Sequence, residues 1–312
     1  MMSVMVTGGA GFIGSFVVEE LVNQGYKAMV YDNFTSGSYE NLKEALRTGS
    51  IKVVEGDVRD YGALLKCISE VEEVVHLASL ISVDESIERP ELYFEVNAMG
   101  TLNVLRASIE ARIKKLVYVS SAAVYGEPVK LPISEDHPLR PMSPYGASKI
   151  AAEALCFSYS KTHGLPIVIL RPFNVYGPRQ QVSHYSGVIT RFIKAMLRGE
   201  EPVIYGDGEQ TRDFIYVEDV AKAIVKALES ESVIGEAINI AYGAPTSIKE
   251  LLRIIAGILG VKPKARFAPP RKGDIRNSYA DISKMLRLLQ FKPATTLTQG
   301  LSRTINYFKE KL

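Results

Sequence analysis

The chain has 312 residues, with 37 Lys and Arg against 35 Asp and Glu, a net charge of +2 and only two cysteines. Its length exceeds the ~100–200 residues of a usual domain and predicts one large domain or two interlocked ones. The balanced charge argues against a nucleic-acid or membrane surface and for a small-molecule partner. Cys67 and Cys156, far apart and outside any C-x-x-C, argue against a disulfide framework or a thiolate metal site. No apolar run approaches the ~20 residues of a membrane span, and a cytoplasmic protein is expected.

Ser3–Val6 is a short apolar run that leads directly into Thr7-Gly8-Gly9-Ala10-Gly11-Phe12-Ile13-Gly14, followed by helical spacing over 12–24. Strand, glycine turn and helix in that order form a variant of the dinucleotide fingerprint, on Gly8, Gly11 and Gly14. Such glycines permit the tight turn and let backbone N–H groups reach a pyrophosphate. A second strand over 27–31 ends at Asp32, eighteen residues after Gly14, where a carboxylate can hold the ribose hydroxyls of an adenosine. Nothing basic follows in Asn33-Phe34-Thr35, so NAD is preferred over NADP. A third strand, 51–55, ends at Asp57-Val58, an acid and a small apolar residue suited to an adenine. A fourth, 73–77, leads into Leu77-Ala78-Ser79. His76 lies in that apolar run without a partner at ligand spacing, which favours a buried structural histidine over a metal ligand.

Strands alternate with helical stretches over 12–24, 61–69, 97–112 and 145–163, which predicts a right-handed, doubly wound parallel α/β sheet. The fifth strand, 115–119, delivers Ser120 and Ser121 to the sheet edge where ligands sit in such folds. Residues 127–144 are rich in proline and read as a functional surface loop. Tyr145 and Lys149 then stand one helical turn apart, and an ammonium near a phenol is expected to lower its pKa until it can accept a proton. Tyr-x-x-x-Lys alone is weak, since such pairs are commonly neighbours on a solvated face. The helix is apolar nearly all round after Ile150, so it is expected to be covered on more than one side, by the sheet and by a second copy of the chain.

After a sixth strand, 166–170, the pattern changes. A helix over 187–198, a strand over 202–205, a hairpin turn at Asp207-Gly208 and a strand near 211–214 are expected. Helix 217–228 and strand 237–240 then return to the main sheet. The division anticipated is a cofactor domain over 1–172 with a returning segment at 214–241, interlocked with a smaller domain over 173–312. Arg212 and Arg271 are the candidate anion ligands, each in a polar, turn-like setting.

Gly8, Gly11, Gly14, Asp32, Asp57, Ser121, Tyr145 and Lys149, in that order, resemble the extended short-chain dehydrogenase/reductase family over essentially the whole chain. Within it the chain is most similar to the UDP-galactose (UDP-glucose) 4-epimerases, through Ser143-Pro144-Tyr145-Gly146, Arg171-Pro172-Phe173-Asn174, Gln210-Thr211-Arg212-Asp213 and Arg271-Lys272-Gly273-Asp274. The resemblance implies a Rossmann-type sheet with a smaller α/β substrate domain and catalysis by Ser121, Tyr145 and Lys149. It also implies NAD held by Gly8, Gly11, Phe12, Ile13, Gly14, Asp32, Asn33, Asp57, Val58, Leu77, Ala78, Ser79, Asn97, Ser120, Tyr145, Lys149 and Pro172.

The UDP-sugar would meet Ser121, Tyr145, Asn174, Val188, Val203, Tyr205, Gln210, Arg212, Arg271, Asp274 and Ser278. Tyr145 would take the proton of the 4-hydroxyl as carbon 4 passes hydride to NAD, and the ketosugar would turn over and take the hydride back. No metal is implied, and a homodimer through helices 97–112 and 145–163 is. Dehydratases and decarboxylases of this kind carry a carboxylate just after the catalytic Ser or Thr, where this chain has Ala122 and Ala123. Ile81 stands where many such epimerases have a lysine at the cofactor, and Ser278 where some have a tyrosine crowding carbon 2 of the sugar. The small residue leaves room for an N-acetyl group and keeps UDP-N-acetylhexosamines open as the substrate. A non-catalytic NAD sensor of the same fold is the reading from another class, opposed by the retained Ser121, Tyr145 and Lys149.

Overall fold

The computed structural model describes residues 3–180, 187–270 and 275–311. Seven parallel strands form the central sheet in the order Ala237–Ile240, Ile167–Pro172, Lys115–Val119, Glu73–His76, Ser3–Thr7, Lys27–Asp32, Ile51–Glu55. The inner strands are runs of Val, Ile, Leu and Met buried on both faces, the composition that a sheet covered by helices on each side requires. From Ser3–Thr7 the chain winds outward one way through the second and third strands, and from Glu73–His76 it winds the other way. The order therefore reverses between Ser3–Thr7 and Glu73–His76, and a crevice opens beyond their carboxyl ends. Ala237–Ile240 pairs in parallel with Ile167–Pro172 and extends the sheet at the far edge.

Beyond the sheet lie short strands. Val203–Tyr205 pairs in parallel with Arg266–Ala268, while Thr211–Asp213 pairs with Asn277–Ser278 in parallel and with Pro245–Ser247 antiparallel. The expected hairpin at Asp207-Gly208 is therefore corrected, because the strands on either side pair elsewhere. Gly206 and Gly208 have φ of +73° and +77°, and Gln210 Nε2 donates to Tyr205 O at 2.8 Å, which folds the segment into a closed loop. Helices not anticipated from the sequence occupy Val83–Glu88, Ile248–Leu259 and Leu297–Lys311. The helix expected over 97–112 is preceded by a turn from Pro90 and a π-helical segment, Phe94–Met99. Among the described residues no helix is long and apolar enough to cross a membrane, and no group of three or more His, Cys, Asp or Glu could hold a metal ion.

Candidate active site

The glycine turn is close-packed. A Cβ on Gly14 would stand 2.1 Å from Gly8 O, and one on Gly8 would stand 2.8 Å from Ala78 N, so the helix Phe12–Asn23 lies on the turn and the turn on the fourth-strand loop. That helix has no acid in its first turn, and its N-terminal amides suit a diphosphate. Asp32 is 6% exposed. Its carboxylate accepts from Ala10 N at 2.9 Å and Phe34 N at 2.8 Å; burial raises its pKa against those two bonds. Asp57 accepts from Arg59 and from Asn33 Nδ2 (2.9 Å), and the Arg59 bonds hold it well below the usual carboxylate range. Asn33 is thus engaged with Asp57 beside the position expected for an adenine.

Thr7 Oγ1 accepts from Leu77 N and Ala78 N, so its own hydrogen goes to His76 Nδ1 at 2.6 Å, and His76 Nε2 donates to Thr101 Oγ1 at 3.0 Å. His76 is the buried structural histidine expected from the sequence, its pKa pushed down by desolvation to about 3. Asn97, in the π-helical segment, accepts from Leu80 N (2.8 Å) and donates to Leu80 O (3.0 Å) and Ser148 Oγ (2.9 Å). It ties the loop that follows Ala78 and Ser79 to the helix Pro144–His163, and its amide N–H groups are both taken by protein.

That helix begins because Ser143 caps it, accepting from Gly146 N, with Pro144 at the first position, and it stops at Gly164, whose φ is +68°. Tyr145, Ser148, Lys149, Ala152, Glu153 and Cys156 share its buried side. Ser121 begins a short turn at the end of the fifth strand, and its hydroxyl accepts from Ala123 N. Burial raises the Tyr145 pKa and a hydrogen bond with Ser121 opposes the rise. Lys149 Nζ donates to Val119 O at 2.9 Å and lies 5.1 Å from the Tyr118 ring; burial lowers its pKa to about 8. In this geometry the Lys149 ammonium turns to the strand end, and burial of the Tyr145 phenol outweighs the Ser121 hydrogen bond. Tyr93 packs edge-on against Tyr145, with centroids 6.4 Å apart.

Two residues beyond the sixth strand a cavity of about 340 Å³ opens. It brings together Asn174, Val188, Val203, Tyr205, Gln210 and Arg212. Arg191 and Gln180 also line it and were missed, although Arg191 stands three residues after Val188 on one helix face. Arg212 Nη1 donates to Thr211 O, and Ser278 is its register partner on the neighbouring strand. Gln210 Oε1 is buried with no hydrogen-bond partner among the described residues. Arg271 and Asp274 lie outside the described residues.

A model of the NAD dependent epimerase/dehydratase family matches residues 4–241. This chain belongs to that family. A UDP-glucose 4-epimerase of Mycolicibacterium smegmatis is 38% identical, covering 99% of each chain. Among solved structures, a UDP-N-acetylglucosamine 4-epimerase of Methanobrevibacter ruminantium, in complex with UDP-N-acetylmuramic acid, superposes with a TM-score of 0.95 at 40% identity, over 100% of this chain and 99% of that one. The UDP-glucose 4-epimerase of Thermotoga maritima, with UDP-glucose, gives a TM-score of 0.94 at 38% identity over 99% of both. The family's cofactor is NAD. The residues present fit it: a glycine turn with no room for side chains, a helix start free of acids, and Ser120 Oγ, buried at the end of the fifth strand with no partner among the described residues.

Proposed function

We propose that the chain interconverts UDP-galactose and UDP-glucose by oxidation and re-reduction at carbon 4. The observation that supports epimerisation over elimination is the turn after Ser121: Ala122 and Ala123 stand where the dehydratases and decarboxylases that the chain resembles carry a carboxylate. NAD, when bound, supplies the hydride acceptor and donor. Gly8, Gly11, Phe12, Ile13 and Gly14 would hold its diphosphate and Asp32 its adenosine ribose. Tyr145 takes the proton of the sugar 4-hydroxyl and later returns it, and Ser121 steadies the charge on that oxygen, while the positive charges of Lys149 and of the oxidised nicotinamide would lower the buried phenol until it can accept that proton. Asn174 and Arg212, with Arg271, hold the sugar diphosphate. Val203 and Tyr205 flank the base, and Gln210 Oε1 offers an acceptor for its N–H. An anchor at the diphosphate leaves the hexose able to present either face.

A second reading, UDP-N-acetylhexosamine as substrate, is favoured by Ser278, a small side chain beside Arg212. The chain is further proposed to pair with a second copy through the neighbouring helices at 94–110 and 144–163, which leave Met99 and Phe157 54% and 36% exposed.

The test is conversion of UDP-galactose, and separately UDP-N-acetylgalactosamine, by the purified protein, with products resolved by anion exchange. Formation of UDP-glucose supports the first reading. Turnover of the acetylated sugar that Ser278→Tyr abolishes, with UDP-galactose turnover spared, supports the second. No product from either, with NAD added, contradicts both.

A further inference from the structure

Beneath the reacting groups lies a buried polar network that the proposed chemistry does not use. Arg171, near the end of the sixth strand, faces Glu153 on the helix that carries Tyr145 and Lys149, and their side chains are 4% and 1% exposed. The guanidinium is bidentate on the carboxylate, Nε to Oε1 at 3.0 Å and Nη2 to Oε2 at 2.6 Å. Its remaining nitrogen, Nη1, donates to Tyr125 Oη at 3.0 Å and Glu135 O at 3.3 Å. Tyr125 is four residues beyond Ser121 and donates in turn to Asn239 Oδ1 at 2.6 Å. Asn239 N donates to Glu135 Oε1 at 2.8 Å, and Asn239 Nδ2 to Ile133 O at 2.9 Å. One guanidinium thus joins the helix of Tyr145, the turn of Ser121 and the strand that runs on into Asn174.

A buried ion pair is a poor source of net stability, because desolvation offsets its attraction, but its fork geometry fixes direction as apolar packing does not. We propose that Glu153 and Arg171, with Tyr125, are positioning residues that set the helix of Tyr145 and Lys149 against the serine turn.

This inference rests on the proposed 4-epimerisation, and the two can fail separately. Substituting Glu153→Gln together with Arg171→Met removes both charges and leaves neither ion buried alone. The measurements are the melting temperature, the dissociation constant of UDP, and kcat with UDP-galactose. The expected result is a folded protein with the UDP constant within about twofold of wild type and kcat at least about tenfold lower. A purely structural pair would shift the melting temperature and leave kcat of the folded protein unchanged, which would overturn the proposal. Should the double variant not fold, Tyr125→Phe, which keeps the ring, is read in the same way. It is expected to lower kcat severalfold at an unchanged UDP constant, and a wild-type kcat would overturn the proposal. Inactivity of the wild type on every UDP-sugar would sink the proposed reaction instead.

Discussion

Tyr145 and Lys149 are both enclosed, and enclosure moves the phenol up while it moves the ammonium down to about 8. If Lys149 serves as a cation, kcat is lost as pH rises through about 8, and a kcat profile flat to pH 9.5 at saturating UDP-galactose would contradict that role. Tyr145→Phe removes only the phenolic oxygen. It is expected to lower turnover by ~10²–10⁴ while NAD stays bound, read as product formation beside the NAD released on denaturation. His76 gives a stability prediction of definite sign. The folded chain keeps it neutral to about 3 while the unfolded chain takes a proton near 6.5, so its contribution is intact above 6.5 and declines as pH falls toward 3. The urea midpoint should therefore drop less steeply between pH 6.5 and 4.5 in His76→Gln than in the wild type. The identities of these residues were legible in the sequence and their directions were not. Nothing in Tyr-x-x-x-Lys spacing says that Lys149 turns to Val119 O, since that depends on a strand thirty residues away.

The seven strands of the sheet are readable because each is a short, mostly apolar run bounded by turn residues, and the helix Pro144–His163 because Ser143 and Pro144 announce its start. The helices Val83–Glu88 and Ile248–Leu259 carried a signal that went unread. Ser82 and Ser247 each cap a helix with Glu three residues on. The small strands were beyond reading. Two or three residues hold no period, and Val203–Tyr205 finds its partner some sixty residues later at Arg266–Ala268. Asp213 organises that region, accepting from Tyr242 N, Gly243 N and Ala280 N. Asp213→Ala strands those buried donors and is expected to cost on the order of 3 kcal/mol, measured by urea unfolding; an unchanged midpoint would count against it. At the turn, a Cβ on Gly14 meets a backbone oxygen at 2.1 Å. Gly14→Ala should therefore abolish NAD retention, and a variant that purified with full NAD would show that the helix can shift.

Across the whole molecule, the cofactor side was legible because its motifs are contiguous, whereas the 340 Å³ cavity gathers residues from Asn174 to Ile248 and only its commoner anchors stood out. The pairing of Arg171 with Glu153 is not legible in the sequence, because an ion pair eighteen residues apart, between a helix and a strand, leaves no pattern in the chain. Met99 and Phe157, on adjacent helices, lead us to expect a dimer by sedimentation at micromolar concentration, converted to monomer by Met99→Glu with Phe157→Glu. A wild-type monomer would refute that pairing.

The central claim is that one hydride leaves carbon 4 and returns to it within one closed site. The most direct measurement is conversion of UDP-galactose deuterated at carbon 4, followed by NMR of the UDP-glucose formed. Retention of the deuterium at carbon 4 is the result expected, and its loss to solvent would contradict the account.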